Sequence, residues 1–199
     1  MYEFAVWTVR LIMRMLYRIR IVGTEHLPSD GPMILCANHK SNWDPVFVGC
    51  FTPHPVSFMA KEELFAFPPL AALLRSLHAF PIRRGNTDRA AIRLSLELLA
   101  RGDTLVMFPE GTRSNQGNME HLEKGIGFLA LRSKAWVVPV WIEGSYRFGK
   151  RQTLHFGIPF LPTVVLADSG NKMTAADVTR LIGESCLQLA QSVTEKGQG

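Results

Sequence analysis

Between about residue 20 and residue 160, short apolar runs alternate with stretches of helical spacing. Met33-Ile34-Leu35-Cys36-Ala37 and Thr104-Leu105-Val106-Met107-Phe108 are the clearest runs, and they read as buried strands. The same pattern predicts strands at Arg20–Val22, Val56–Ala60, Ala79–Ile82, Trp136–Ile142 and Leu154–Gly157. The intervening spacing predicts helices over Pro45–Cys50, Pro69–Ser76, Thr87–Ala100 and Lys124–Arg132. A last helix, Thr174–Thr194, opens on Thr174-x-x-Asp177, a capping box. Alternating strand and helix predict an α/β class. The expectation is a single layered domain over residues 20–195, with a central, mostly parallel or mixed sheet flanked by helices, and a frayed tail at 196–199.

Residues 1–19 have a different pattern. Arg10, Arg14 and Arg18 recur at i, i+4 and i+8, while Phe4, Val6, Trp7, Leu11, Ile12, Met15 and Leu16 cover much of the remaining surface. As a helix this is amphipathic. One reading packs it on the core with the arginines in water. The other lays it in the plane of a membrane, with Trp7, Arg10, Leu11, Arg14 and Arg18 at the headgroups. The two are compatible if the helix packs along one edge. Arginines interrupt any apolar leader, so a cleavable signal is not expected. No charge-free apolar run reaches 18 residues, so a spanning helix is not expected either.

Composition narrows the picture modestly. A chain of 199 residues suits one domain. The net charge of +5 favours anionic partners: phospholipid surfaces, phosphorylated substrates, acidic proteins or nucleic acid. Aromatic residues are not interleaved with basic ones on a strand platform, which argues against nucleic acid. Cys36, Cys50 and Cys186 form no C-x-x-C pair and are odd in number, which argues against a disulfide scaffold and suits a reducing cytoplasm. No zinc spacing of Cys and His appears, and His39 with Asp44 and Glu110 is not a distinctive metal set.

The candidate chemistry sits where strands give way to loops. Asn38-His39-x4-Asp44 follows one apolar run. Imidazole exchanges protons near neutrality, and a nearby carboxylate fixes its tautomer and stabilises the cation. Asp44-Pro45 also reads as a helix N-cap, and one carboxylate oxygen could cap while the other faces His39. Phe108-Pro109-Glu110-Gly111-Thr112-Arg113-Ser114 follows the second run. There Gly111 permits a tight turn, Arg113 suits a phosphate, and Glu110 suits a hydroxyl or an arginine. The plainer reading is an exposed turn with a surface ion pair. Arg83-Arg84-Gly85 follows another strand, and Lys61 ends a fourth. Solvated basic residues at loop starts would look the same. In an open α/β sheet, however, carboxyl ends of strands line the ligand crevice. Neither a G-x-S-x-G elbow nor a Walker A or G-x-G-x-x-G loop is present.

Taken in order, these blocks resemble the 1-acylglycerol-3-phosphate O-acyltransferase family, glycerolipid acyltransferases of the N-H-x4-D type. The blocks are Asn38-His39-x4-Asp44, Ala79-Phe80-Pro81-Ile82-Arg83-Arg84-Gly85, Phe108–Ser114 and Val138-Pro139-Val140. The likeness spans about residues 20 to 160. It implies acyl transfer from acyl carrier protein or coenzyme A to the 2-hydroxyl of 1-acylglycerol 3-phosphate, with no cofactor beyond that co-substrate. It implies His39 as general base and Asp44 as its support. Lys61, Arg84, Glu110, Gly111, Thr112 and Arg113 would form the substrate site, and Pro139 its wall. It also implies a peripheral or monotopic protein on the cytoplasmic face of the inner membrane. The alternatives are a related enzyme using glycerol 3-phosphate or another lysolipid, or a catalytically silent lipid-binding module.

Overall fold

The computed structural model describes residues 2–82, 88–111, 119, 122–123, 125–163 and 174–196. Seven strands form one sheet: β1 (Arg18–Val22), β2 (Met33–Ala37), β3 (Val56–Lys61), β4 (Ala79–Ile82), β5 (Thr104–Met107), β6 (Trp136–Gly144) and β7 (Arg151–Phe156). Their order across the sheet is β1-β7-β6-β2-β5-β3-β4. From β6 to β4 every neighbouring pair is parallel. The hairpin partner β7 runs antiparallel to β6, and β1 follows β7 in parallel. The expected mixed, mostly parallel sheet is therefore what forms.

The helices that cover the two faces among the described residues include α1 (Tyr2–Leu16), α2 (Asp44–Phe51), α3 (Pro68–Ser76), α4 (Arg89–Ala100), α5 (Gly125–Ser133) and α6 (Ala175–Lys196). Strand β2 explains the layering. All five of its residues are buried, because alternate side chains face opposite layers. Met33, Leu35 and Ala37 join Val6 and Met13 of α1, Phe47 and Val48 of α2 and Leu74 of α3. Ile34 and Cys36 join Leu99 of α4, Ile126 and Leu129 of α5 and Ile182 of α6. Three layers thus enclose two apolar cores.

The helix caps follow from the sequence. Asp88 accepts from the Ala90 and Ala91 N–H groups at 3.1 Å and caps α4, which starts at Arg89, two residues after the expected Thr87. The capping box opens α6: Thr174 N donates to Asp177 Oδ2 at 2.9 Å, and Asp177 N to Thr174 Oγ1 at 3.3 Å. The first of these, with the bond that the Thr174 hydroxyl donates to Asp177 Oδ2 at 2.8 Å, holds the exposed Asp177 carboxyl below its ordinary range.

The N-terminal segment needs two corrections. The helix stops at Leu16, and Arg18 and Ile19 already belong to β1, so the sheet begins inside the expected helical segment 1–19. The expected stripe of Arg10, Arg14 and Arg18 does not form. Arg10 turns inward, donating through Nε to the Cys50 carbonyl and through Nη2 to that of Thr52 at 3.3 Å. Those carbonyls close the C-terminal end of α2, which lacks intrahelical donors and carries partial negative charge. Arg14 lies over the Phe51 ring at 5.7 Å. Arg18 is a strand residue on the sheet edge, exposed to solvent. What α1 presents outward is mainly apolar: Phe4, Trp7, Leu11, Ile12 and Met15, with Trp7 59% and Met15 73% exposed, beside exposed Glu3 and Arg14.

Candidate active site

Because β6, β2, β5, β3 and β4 are parallel neighbours, their carboxyl ends lie side by side along one edge of the sheet. His39 follows β2, Glu110 follows β5, and Lys61 ends β3 beside Ile82, the last residue of β4. The four strand ends expected to share a crevice are therefore adjacent. Arg83 and Arg84 continue directly from Ile82, and Thr112 and Arg113 from Gly111, but all four lie outside the described residues.

Asn38 fixes where β2 ends. Its amide Nδ2 donates to the Ile142 carbonyl at 3.2 Å, and its Oδ1 accepts from the Ile142 N–H at 2.7 Å. The side chain thereby extends the β2–β6 ladder past Ala37↔Val140 and releases the main chain to turn. His39 is the next residue, buried with its ring tilted on Phe108 at 4.4 Å. The His39 backbone N–H donates to Glu110 Oε1 at 3.4 Å, which ties the two motif loops together.

Asp44 is wholly buried and fully engaged. Its Oδ2 lies 3.0 Å from His39 Nδ1 and accepts from the Lys40 and Ser41 N–H groups, each at 2.6 Å. Its Oδ1 accepts from the Tyr146 hydroxyl at 2.7 Å. An ionised carboxylate only accepts, so Nδ1 of His39 carries the proton that faces it. The lone pair is then on Nε2, which has no partner among the described residues. The expected N-cap role of Asp44 is corrected here. It is the first residue of α2, Trp43 stands at the cap, and neither carboxylate oxygen caps the helix. The motif loop folds back over the carboxylate and offers its own N–H groups first.

Other expected site residues divide. Gly111 adopts φ +64, and a Cβ there would approach Glu123 Oε1 to 2.5 Å, so the tight turn needs glycine. Glu110 is buried, and its bond to His39 N–H makes it part of the scaffold behind the base rather than an exposed turn residue. Lys61 is exposed at the site edge. Pro139 is buried in β6 opposite Cys36, where β7 has ended and no ladder N–H is required. Its carbonyl accepts from Gly157 N–H at 2.8 Å.

Sequence reasoning missed Tyr146, Lys40 and the role of Asn38. Asn38 heads its motif and was legible as such. Tyr146 carries no signal beyond its place just after β6. Half-buried Lys40 donates through Nζ to the Gly144 carbonyl at 2.7 Å. Burial lowers its pKa, opposed by Asp44 and Glu143. Among the described residues, no group of three or more His, Cys, Asp or Glu side chains is placed to hold a metal ion. None of the described helices is long and apolar enough to cross a membrane.

Known proteins resemble this chain in sequence and in fold. A family model described as Acyltransferase matches residues 18–143. The chain is 29% identical over 145 residues to a 1-acyl-sn-glycerol-3-phosphate acyltransferase of Bacillus subtilis, covering 72% of each chain. It is 34% identical over 142 residues to a lyso-ornithine lipid O-acyltransferase of Pseudomonas aeruginosa, covering 71% of this chain and 52% of that one. The chain thus spans about half the length of that relative. In fold it is similar to the crystal structure of the 1-acyl-sn-glycerophosphate acyltransferase PlsC from Thermotoga maritima, with a TM-score of 0.75 at 22% identity. That match covers 96% of this chain and 79% of the other.

Proposed function

The chain belongs to the acyltransferase family, and we propose that it moves a fatty acyl group from an acyl thioester to the 2-hydroxyl of 1-acylglycerol 3-phosphate, giving phosphatidic acid. The observation that carries this reading is the His39–Asp44 pair at 3.0 Å, held at a sheet edge that Lys61 shares. An alcohol is a weak nucleophile until its proton is taken. Here the 2-hydroxyl proton passes to His39 Nε2 as the oxygen attacks the thioester carbonyl. Asp44 stabilises the imidazolium that forms. The tetrahedral intermediate collapses, the C–S bond breaks, and the proton passes from Nε2 to the departing sulfur. No covalent acyl-enzyme is needed. Base assistance is worth about 10²–10⁴-fold, and the rest comes from holding both substrates together.

Lys61, Arg84 and Arg113 supply the cations for the acceptor phosphate, and Thr112 a hydroxyl. The acceptor has one long chain and the product two, so both reside in a bilayer. The apolar outer face of α1 suits a peripheral position on the cytoplasmic side of the membrane, with Trp7 and Leu11 entering the headgroup zone and Arg14 near it. The donor is the thioester of acyl carrier protein or coenzyme A.

The similarity to a lyso-ornithine lipid enzyme makes acceptor choice the point to test. Purified protein should be offered 1-acylglycerol 3-phosphate, glycerol 3-phosphate and a lyso-aminolipid in mixed micelles with each thioester. The phosphate monoester with one acyl chain should give the highest kcat/KM. A preference for the lyso-aminolipid would contradict the assignment.

A further inference from the structure

Tyr146 lies two residues beyond β6 and belongs to no motif. Gly144, at φ +102, turns the chain there, and a Cβ at that position would collide with the Arg151 carbonyl. The turn brings Tyr146 back over α2. Its ring meets Phe47 edge-on at 6.3 Å and 90°, and Tyr17, the residue joining α1 to β1, at 5.8 Å and 84°. These contacts leave its hydroxyl 2.7 Å from Asp44 Oδ1. Burial first, and then the Asp44 charge, push the phenol far above its ordinary range, so it stays a donor.

The two oxygens of Asp44 are unequally supplied. Oδ2 receives His39 Nδ1 and two backbone N–H groups, while among the described residues Oδ1 has the Tyr146 hydroxyl. A carboxylate anchored at one oxygen can still rotate about its Cβ–Cγ bond. We propose that Tyr146 is a positioning residue of the catalytic pair, its hydroxyl locking the Asp44 carboxylate so that Oδ2 stays on His39 Nδ1. This rests on the proposed role of His39 as base. A mere packing role would be filled equally well by phenylalanine, which keeps both ring contacts.

The test compares the parent protein, Tyr146→Phe, Asp44→Asn and the double variant, with His39→Ala as control. Tyr146→Phe should lower kcat about ten-fold, the usual loss for one bond to a charged group, with KM within about two-fold. In the Asp44→Asn background the same change should alter kcat by less than about two-fold, because no carboxylate remains to be held against His39 Nδ1. Unchanged kcat in Tyr146→Phe, or an equal loss in both backgrounds, would overturn the proposal. Proton NMR of the His39 Nδ1–H provides a readout that does not depend on turnover or on the folding of Asp44→Asn. Its exchange with water should speed up in Tyr146→Phe, and an unchanged exchange rate would also overturn it. Full activity in His39→Ala would instead remove the general-base reading, while the NMR comparison still decides whether Tyr146 orders the pair.

Discussion

A wholly buried carboxylate is costly unless its lone pairs are met, and Asp44 meets its cost with charge-assisted bonds from His39, Lys40, Ser41 and Tyr146. The bonds come from one short loop and one distant turn. For that reason, the local part was legible and the Tyr146 part was not: spacing within Asn38–Asp44 can be read along the chain, whereas Tyr146 arrives through sheet order. Asn38 shows the same limit. Its place in the motif was visible, but its bonding to both polar groups of Ile142 depends on β6 being the neighbour of β2. Replacing Asn38 by alanine leaves that N–H and carbonyl buried without their partner. The expected cost is about 2–4 kcal/mol in urea unfolding, together with a loss of kcat as the His39 loop loosens. Stability within about 0.5 kcal/mol of the parent would contradict the ladder-extension role.

Among the elements, the strands were the most readable, because runs such as Met33–Ala37 are apolar on both faces. The errors fall where polar residues extend a strand. Strand β7 begins at Arg151, not Leu154, and β6 runs on to Gly144, because the β6–β7 hairpin pairs Gly144 with Gln152 and Glu143 with Thr153 regardless of polarity. Helix α1 was legible as amphipathic, but its orientation was not. Nothing along the chain says that the carbonyls at the end of α2 would claim Arg10. The orientation also determines how its proposed membrane role must be tested. Removing α1 would strip Val6 and Met13 from the core, confounding docking with folding. The double change Trp7→Ser and Met15→Ser touches only exposed positions. It should weaken binding to anionic liposomes by about 10²-fold or more, since two apolar side chains worth about 1.5–3 kcal/mol each are lost, and should leave Tm nearly unchanged. Equal partitioning of parent and variant in a flotation assay would argue that α1 is only a cover for the core.

For the whole molecule, the parallel order of five strands places His39, Lys61 and Glu110 on one edge, and the two helical layers cover the sheet behind it. The same sealing buries all three cysteines. Burial pushes the Cys50 thiol up from 9.0 to about 11 and that of Cys186 up to about 12. A thiol whose folded pKa lies above its unfolded value favours folding while it stays protonated. That contribution is complete below about pH 9 and is lost as pH rises towards 11. Urea midpoints should therefore fall between pH 9 and pH 11, and flat midpoints across that window would contradict the buried-thiol account. The central claim is that His39, aligned by Asp44 at this edge, takes the proton of a lysolipid hydroxyl. Its most direct measurement is phosphatidic acid formation from 1-acylglycerol 3-phosphate and an acyl thioester by the parent protein and by folded His39→Ala. Robust product from the parent and a fall of at least about 10²-fold in kcat for the variant is the predicted result. Product formation by His39→Ala at near the parental rate would contradict it.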